Sequence, residues 1–184
     1  AGGHPAETLE GEDDPEVIAR FLSRIQDETA RLARLIDDLL DLSRIEGGIG
    51  DRVEEVEVAG LLSESLGAVR PVAEHLGVEL VIEDSDVEAV VHGDRAQLVS
   101  ALTNLFENAV KYCDEGGSVT GRLAAHGSEV AIAVVDNGVG IPQRDVNRIF
   151  ERFYRVDRGR TAASGGTGLG LSIVRHVAVN HGGR

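Results

Sequence analysis

The sequence lacks the residues that would tie it to several large functional classes. It has a single cysteine, Cys113, so no internal disulfide can form, and no His/Cys cluster stands at the spacing of a structural zinc site. Basic residues are also short, with 18 Lys and Arg against 32 Asp and Glu, a formal net charge of −14. So acidic a surface argues against nucleic acid or an anionic membrane as a non-specific partner. No apolar run approaches the roughly 18 residues needed to cross a bilayer. The N-terminus lacks the charged-then-apolar pattern of a secretory signal. These absences predict a chain that works in the cytoplasm.

What is present suits a folded protein: 42% hydrophobic and 27% charged residues over 184, enough for one moderate core or two small ones. Both ends read as cut, with residues 1–10 resembling the tail of a helix and His181-Gly-Gly-Arg184 stopping where a further strand is expected. From Val17 onward, Ile18, Leu22, Ile25, Leu32, Ile36 and Leu39 follow a 4,3 spacing in which Thr29 fills the one missing slot. A second set, Phe21, Leu35 and Leu42, broadens the stripe as in a helix of a bundle. Asp14-Pro15 supplies an N-cap and first-turn residue, and Gly47 and Gly48 are expected to end the helix in left-handed conformations. The predicted helix is Pro15–Glu46. It needs a partner, which is either a second chain in a dimer or a core of its own.

Beyond the glycines at 47–50 the pattern changes to strands alternating with helices, predicting an α+β chain divided into residues 1–48 and 49–184. Strands are expected at 53–58, 78–82, 87–91, 118–124 and 129–135, the last two joined by a His126-Gly127-Ser128 hairpin. Helices are expected at 61–76, Arg95–Tyr112 and 171–179.

Four segments carry residues suited to chemistry. On the Arg95–Tyr112 helix, Leu98, Leu102, Leu105, Phe106 and Ala109 make a core face, while Asn104, Asn108 and Lys111 make a separate polar stripe. Amide carbonyls are hard ligands for Mg²⁺ and a lysine offers charge to phosphate, although a solvated polar face has the same pattern. Asp136-Asn137-Gly138-Val139-Gly140 follows a strand, so its carboxylate can accept from an exocyclic amine and its glycines can admit a ligand; a plain turn uses the same residues. Ser164-Gly-Gly-Thr-Gly-Leu-Gly-Leu171 precedes the last helix and can cradle phosphate on free amides, or be a flexible loop. It fits neither the Walker nor the dinucleotide spacing. Between them, Arg148-Ile-Phe-Glu-Arg-Phe-Tyr-Arg155 holds three aromatics and three arginines, as a lid or as a short helix packed on the core. The six histidines are scattered, and none forms a triad or metal centre with its sequence neighbours.

In order, Asn104-x-x-x-Asn108-Ala-Val-Lys-Tyr112, Asp136-x-Gly138-x-Gly140, the 150–154 segment and Gly166-Thr167-Gly168-Leu169-Gly170 resemble the N, G1, F and G2 boxes of bacterial sensor histidine kinases. The helix before Gly47 resembles the second helix of that family's dimerisation and phosphotransfer hairpin. The resemblance implies an incomplete helical hairpin followed by an α/β sandwich, the Bergerat fold, with ATP beneath a mobile lid. It implies that Asp136 reads adenine and that Asn108 holds Mg²⁺ with Asn104 nearby. Lys111 and the 167–170 segment would meet phosphate, and Tyr112 would lie against the nucleotide. Arg152 and Arg155 would serve either the γ-phosphate or docking against the helical bundle. The implied partners are a second copy through the N-terminal helices and a response regulator, in a protein held in the bacterial plasma membrane by upstream segments. One departure affects activity: the family's His-Glu-x-x-x-Pro acceptor sequence occurs nowhere here, and His4-Pro5 is a poor substitute. The chain is therefore expected to bind nucleotide without labelling itself. Two other classes remain. An ATPase of the chaperone and topoisomerase kind would place glutamate where Asn104 stands, and a degenerate interaction module would have no need of Lys111 and both glycine boxes.

Overall fold

The computed structural model describes residues 15–47, 53–83, 85, 87–156 and 166–184. His4, Asp14 and Gly48, the rest of the 47–50 linker after Gly47, and Ser164-Gly165, on which the sequence placed expectations, lie outside those residues. A long helix α1 (Pro15–Glu46) opens the chain at the predicted bounds, followed by β1 (Glu54–Glu57), α2 (Val58–Leu76), β2 (Glu79–Ile82) and β3 (Val90–Gly93). Then come α3 (Arg95–Tyr112), β4 (Ser118–His126), β5 (Glu129–Asp136) and α4 (Gly170–Asn180).

The strands form two sheets. In the larger, β2 runs parallel to β4 and β4 antiparallel to β5, while β1 and β3 make a separate antiparallel pair. The β4–β5 hairpin closes through Gly127 and Ser128, with Gly127 at φ 62°. On one face of the three-stranded sheet, Leu62, Leu66, Val69 and Ala73 of α2 and Phe106, Ala109 and Val110 of α3 bury themselves against Val119. Leu80, Ile132 and Val134 complete that layer, whereas Ala131, Ala133 and Val135 point to the exposed side, as befits a sheet covered once. This is the expected α+β sandwich.

Several boundaries differ from expectation for identifiable reasons. Helix α2 begins at Val58, in place of a strand through that residue, because Val58, Leu61 and Leu62 share one buried helical face. Strand β3 lies two to three residues later than predicted, since its register sets Val91 opposite the buried Val56. Gly47 does not take up a left-handed backbone; among the described helices that role falls to Gly77 after α2, at φ 68°, and to Gly182 after α4, at φ 73°.

Helix α1 divides along its length. Ile18, Phe21, Leu22, Ile25, Leu32, Ile36 and Leu39 are exposed, but Leu42 and Ile45 are buried with Ala101 of α3 and Leu169, Ile173 and Val177 around α4. Leu35 packs against the same cluster. Of the second apolar set, therefore, only Phe21 keeps to an open bundle face, and Leu35 and Leu42 serve the sandwich. The Asn180 side-chain amide donates to the Ile45 carbonyl at 2.7 Å and closes the junction.

Candidate functional site

The site grows from the polar side of α3. Asp94 caps this helix by accepting from the Gln97 amide at 3.1 Å, and the burial of Phe106 fixes its rotation. Asn104 and Lys111 are thereby turned toward the segment that enters α4. A Cβ at Gly166 would overlap the Lys111 ammonium, and one at Gly170 would overlap the Asn104 amide oxygen. The glycines thus let the loop lie directly on these two side chains. Gly168, at φ 77°, faces the backbone of Phe153, whose N–H donates to the Gly168 carbonyl at 2.9 Å. Leu169 is fully buried and anchors the loop in the core.

The turn after β5 meets the other end of α3. Asp136 accepts the Gly138 N–H at 3.0 Å, Asn137 accepts the Ser118 N–H at 2.9 Å, and the Val139 N–H donates to the Tyr112 carbonyl at 3.1 Å. The absent side chain of Gly138 makes room for the Tyr112 carbonyl, so this glycine serves internal packing where ligand approach was expected. Gly140, at φ 69° with open space around it, has the conformational role. Tyr112 is partly exposed, and the Lys111 ammonium lies 5.4 Å from its ring centroid.

The arginine- and aromatic-rich segment is a chain of turns, with no regular helix. Tyr154 donates to Asp145 at 2.7 Å and lies under the Arg148 guanidinium, 4.2 Å from its ring centroid. Phe153 adopts φ 62° and is 60% exposed, a conformation that a bulky residue rarely holds. Arg152 pairs with Glu46 at the end of α1 and approaches His176 of α4 at 3.4 Å.

Helix α1 also supplies groups that the sequence did not single out. Thr167 donates to the Asp38 carboxylate at 2.5 Å and accepts the Leu169 N–H at 3.3 Å. Burial pushes the Asp38 carboxyl above its usual range, opposed by the Thr167 hydrogen bond and by Arg34. Glu107 of α3 is raised too, by burial and then by Asp38. Lys111 is lowered, first by burial and then by Arg155 and Arg34. Three cations thus meet two carboxyl groups where α1, α3 and the glycine loop converge. Nothing in the sequence could have signalled Asp38, whose hydroxyl partner is 129 residues away.

These residues suit a phosphorylated nucleotide with a divalent cation. The stripe offers amide oxygens and an ammonium, and the loop offers backbone beside both at the N-terminus of α4. A separate cavity, at the start of α3, is lined by Glu54, Glu64, Asp94 and Arg95, and its three carboxylates make it a poor place for phosphate. Among the described residues no helix is long and apolar enough to cross a membrane, and no group of three or more His, Cys, Asp or Glu could hold a metal ion.

Known proteins resemble the chain in sequence and in fold. Residues 93–184 match the model of the histidine kinase-, DNA gyrase B- and HSP90-like ATPases, and residues 5–48 match the His Kinase A phospho-acceptor domain. The sensor-like histidine kinase SenX3 of Mycolicibacterium smegmatis is 40% identical over 177 residues, covering 95% of this chain. The chain spans 46% of that relative's length. Among solved structures, the mycobacterial sensor histidine kinase MprB is 31% identical with a TM-score of 0.59, over 71% of this chain and 80% of that one. Full-length ShkA, solved with AMPPNP, is 27% identical with a TM-score of 0.71, over 89% of this chain and 34% of that one. The chain belongs to the family of histidine kinase-, DNA gyrase B- and HSP90-like ATPases, on its two-component sensor histidine kinase branch.

Proposed function

We propose that the chain binds Mg·ATP across α3, the turn after β5 and the 166–170 loop, as the catalytic end of a protein-histidine kinase. The observation that carries this reading is the meeting of Lys111 with Gly166 and of Asn104 with Gly170, two motifs about 60 residues apart in sequence that share one polar surface. ATP supplies the transferable phosphoryl group and Mg²⁺ neutralises its oxygens. On the protein's side, Asp136 is assigned to the adenine amine and Tyr112 to the nucleotide's flank. Asn108, with Asn104 beside it, holds the metal. Lys111 and the amides of Gly168, Leu169 and Gly170 hold phosphate. The pairing of Arg152 with Glu46 supports a docking role for that arginine, while the closeness of Arg155 to Lys111 supports a phosphate role for it.

The protein that this chain represents then moves the phosphoryl group to a histidine imidazole and on to an aspartate of a response regulator, positioning and charge neutralisation providing the rate. In this reading residues 1–48 serve dimerisation and phosphotransfer and residues 49–184 bind nucleotide. The exposed stripe from Ile18 to Leu39 supports a homodimer through α1, and sedimentation of an Ile25→Lys/Leu32→Lys variant should shift the chain toward monomer.

Calorimetric titration with a non-hydrolysable ATP analogue, with and without Mg²⁺, tests the site. Metal-assisted binding that is lost in Asn108→Ala and in Asp136→Asn is expected. A folded wild-type chain that binds nothing would overturn the reading. Joining a helix with the His-Glu-x-x-x-Pro sequence should restore labelling from ATP, which the chain alone should not show.

A further inference from the structure

We infer that Asp38 of α1 latches the glycine loop against the helix, so that a nucleotide must break this contact to enter. The inference rests on the nucleotide reading above and adds a regulatory contact to it. Three observations converge. The Thr167 hydroxyl, at the centre of the loop, donates to the Asp38 carboxylate at 2.5 Å while holding the Leu169 amide at 3.3 Å, so the loop's amide and hydroxyl are both engaged. Phosphate beside Lys111 would meet two carboxyl groups, Asp38 from α1 and Glu107 from α3, which already share the space with Arg34 and Arg155. Flanking contacts hold the same surfaces together: Arg152 with Glu46, Asn180 with the Ile45 carbonyl, and the Phe153 amide with the Gly168 carbonyl.

An anion and the Asp38 carboxylate therefore compete for one hydroxyl and one positive region. While the latch is made, the competent state is only a fraction of the molecules, and apparent affinity falls by that fraction. Binding would in turn free Thr167 from α1 and loosen the loop from the helix. This links nucleotide occupancy to the position of α1 through a side-chain pair of which only Thr167 belongs to a glycine motif.

The test compares the whole chain with Asp38→Ala, Asp38→Asn and, as a control on the same helix, Asp41→Ala. Asp41 faces Arg44 at 3.6 Å. Two readouts are taken: the affinity for adenylyl imidodiphosphate with Mg²⁺, and the amide hydrogen exchange of the 166–172 peptide without ligand. Loss of one charge-assisted hydrogen bond should make Asp38→Ala bind roughly tenfold to a hundredfold more tightly. It should also speed exchange in the peptide. Asp38→Asn, which keeps an acceptor oxygen, should fall between, and Asp41→Ala should match the wild type. Unchanged affinity and exchange in Asp38→Ala would overturn the latch and leave the nucleotide site standing. The latch also fails if Asp38→Asn reproduces the whole gain with unchanged exchange, because the effect is then removal of local negative charge. If no form binds the analogue, the nucleotide reading falls and the competition falls with it.

Discussion

Phe106 is the side chain on which both the core and the site depend, and a double-mutant cycle with Gly121 would measure that dependence. The ring is fully buried between α3 and the sheet, and it lies between Asn104 and Asn108 along the helix. Phe106→Ala removes its burial and leaves a cavity, a loss of about 3–5 kcal/mol. At about 2–4 °C per kcal/mol for a chain of this size, the melting temperature should fall by roughly 6–20 °C. Across the interface, a Cβ at Gly121 of β4 would stand 3.0 Å from the Phe106 Cζ and 3.4 Å from a Leu62 methyl. Gly121→Ala alone should therefore cost about 1–3 kcal/mol of overpacking. A smaller gain from stiffening the unfolded chain, about 0.4–1 kcal/mol, offsets part of it. In the Phe106→Ala background the new methyl enters vacated space, so the same change should become neutral or stabilising. The coupling energy should lie at about 1–3 kcal/mol. Urea unfolding followed by far-ultraviolet circular dichroism is the suitable assay, since the chain has no tryptophan to report by fluorescence. If Gly121→Ala costs as much with the ring absent as with it present, the packing argument for α3 is wrong.

Gly93→Ala places a methyl group on the His181 imidazole, which accepts the Asp94 N–H at 3.0 Å, so a destabilisation of about 1–3 kcal/mol is expected in the same urea assay. Exposed ion pairs contribute little, and Arg152→Ala should change the unfolding free energy by less than about 1 kcal/mol. A larger loss would mean that the pair with Glu46 is a structural joint. The raised carboxyl of Asp38 also has a pH signature. Between its ordinary value of 3.8 and its higher folded value, the native state holds a proton that the unfolded chain releases. Its contribution is thus complete below the ordinary value and is lost as pH rises through the folded one. The stability difference between wild type and Asp38→Asn should shift in that direction across mildly acidic pH, and no such shift would place Asp38 in open solvent.

The sequence was informative where structure is set within one element. Helix α3 ran from Arg95 to Tyr112 as expected because its apolar face and its Asn104, Asn108, Lys111 stripe are both read from one helical period. The β4–β5 hairpin was legible from a glycine between two alternating runs. Legibility failed where one residue type serves two surroundings. Leu42 continues the apolar periodicity of α1, yet its packing against α3 and α4 turns it into the sandwich's core, a choice set by residues as distant in sequence as Ala101 and Val177. Phe153 failed for another reason. Its left-handed backbone is held by the Gly168 carbonyl and carries no local signal, since a phenylalanine is among the last residues such a conformation would suggest. The same distinction separates the two halves of the proposed function. Residues suited to nucleotide lie in short motifs and can be named from spacing, whereas Asp38, Arg34 and Glu46 act on those motifs only because α1 folds back beside them. Control of the site is therefore expected to vary among chains that share the motifs, because it depends on a helix face that the motifs do not constrain.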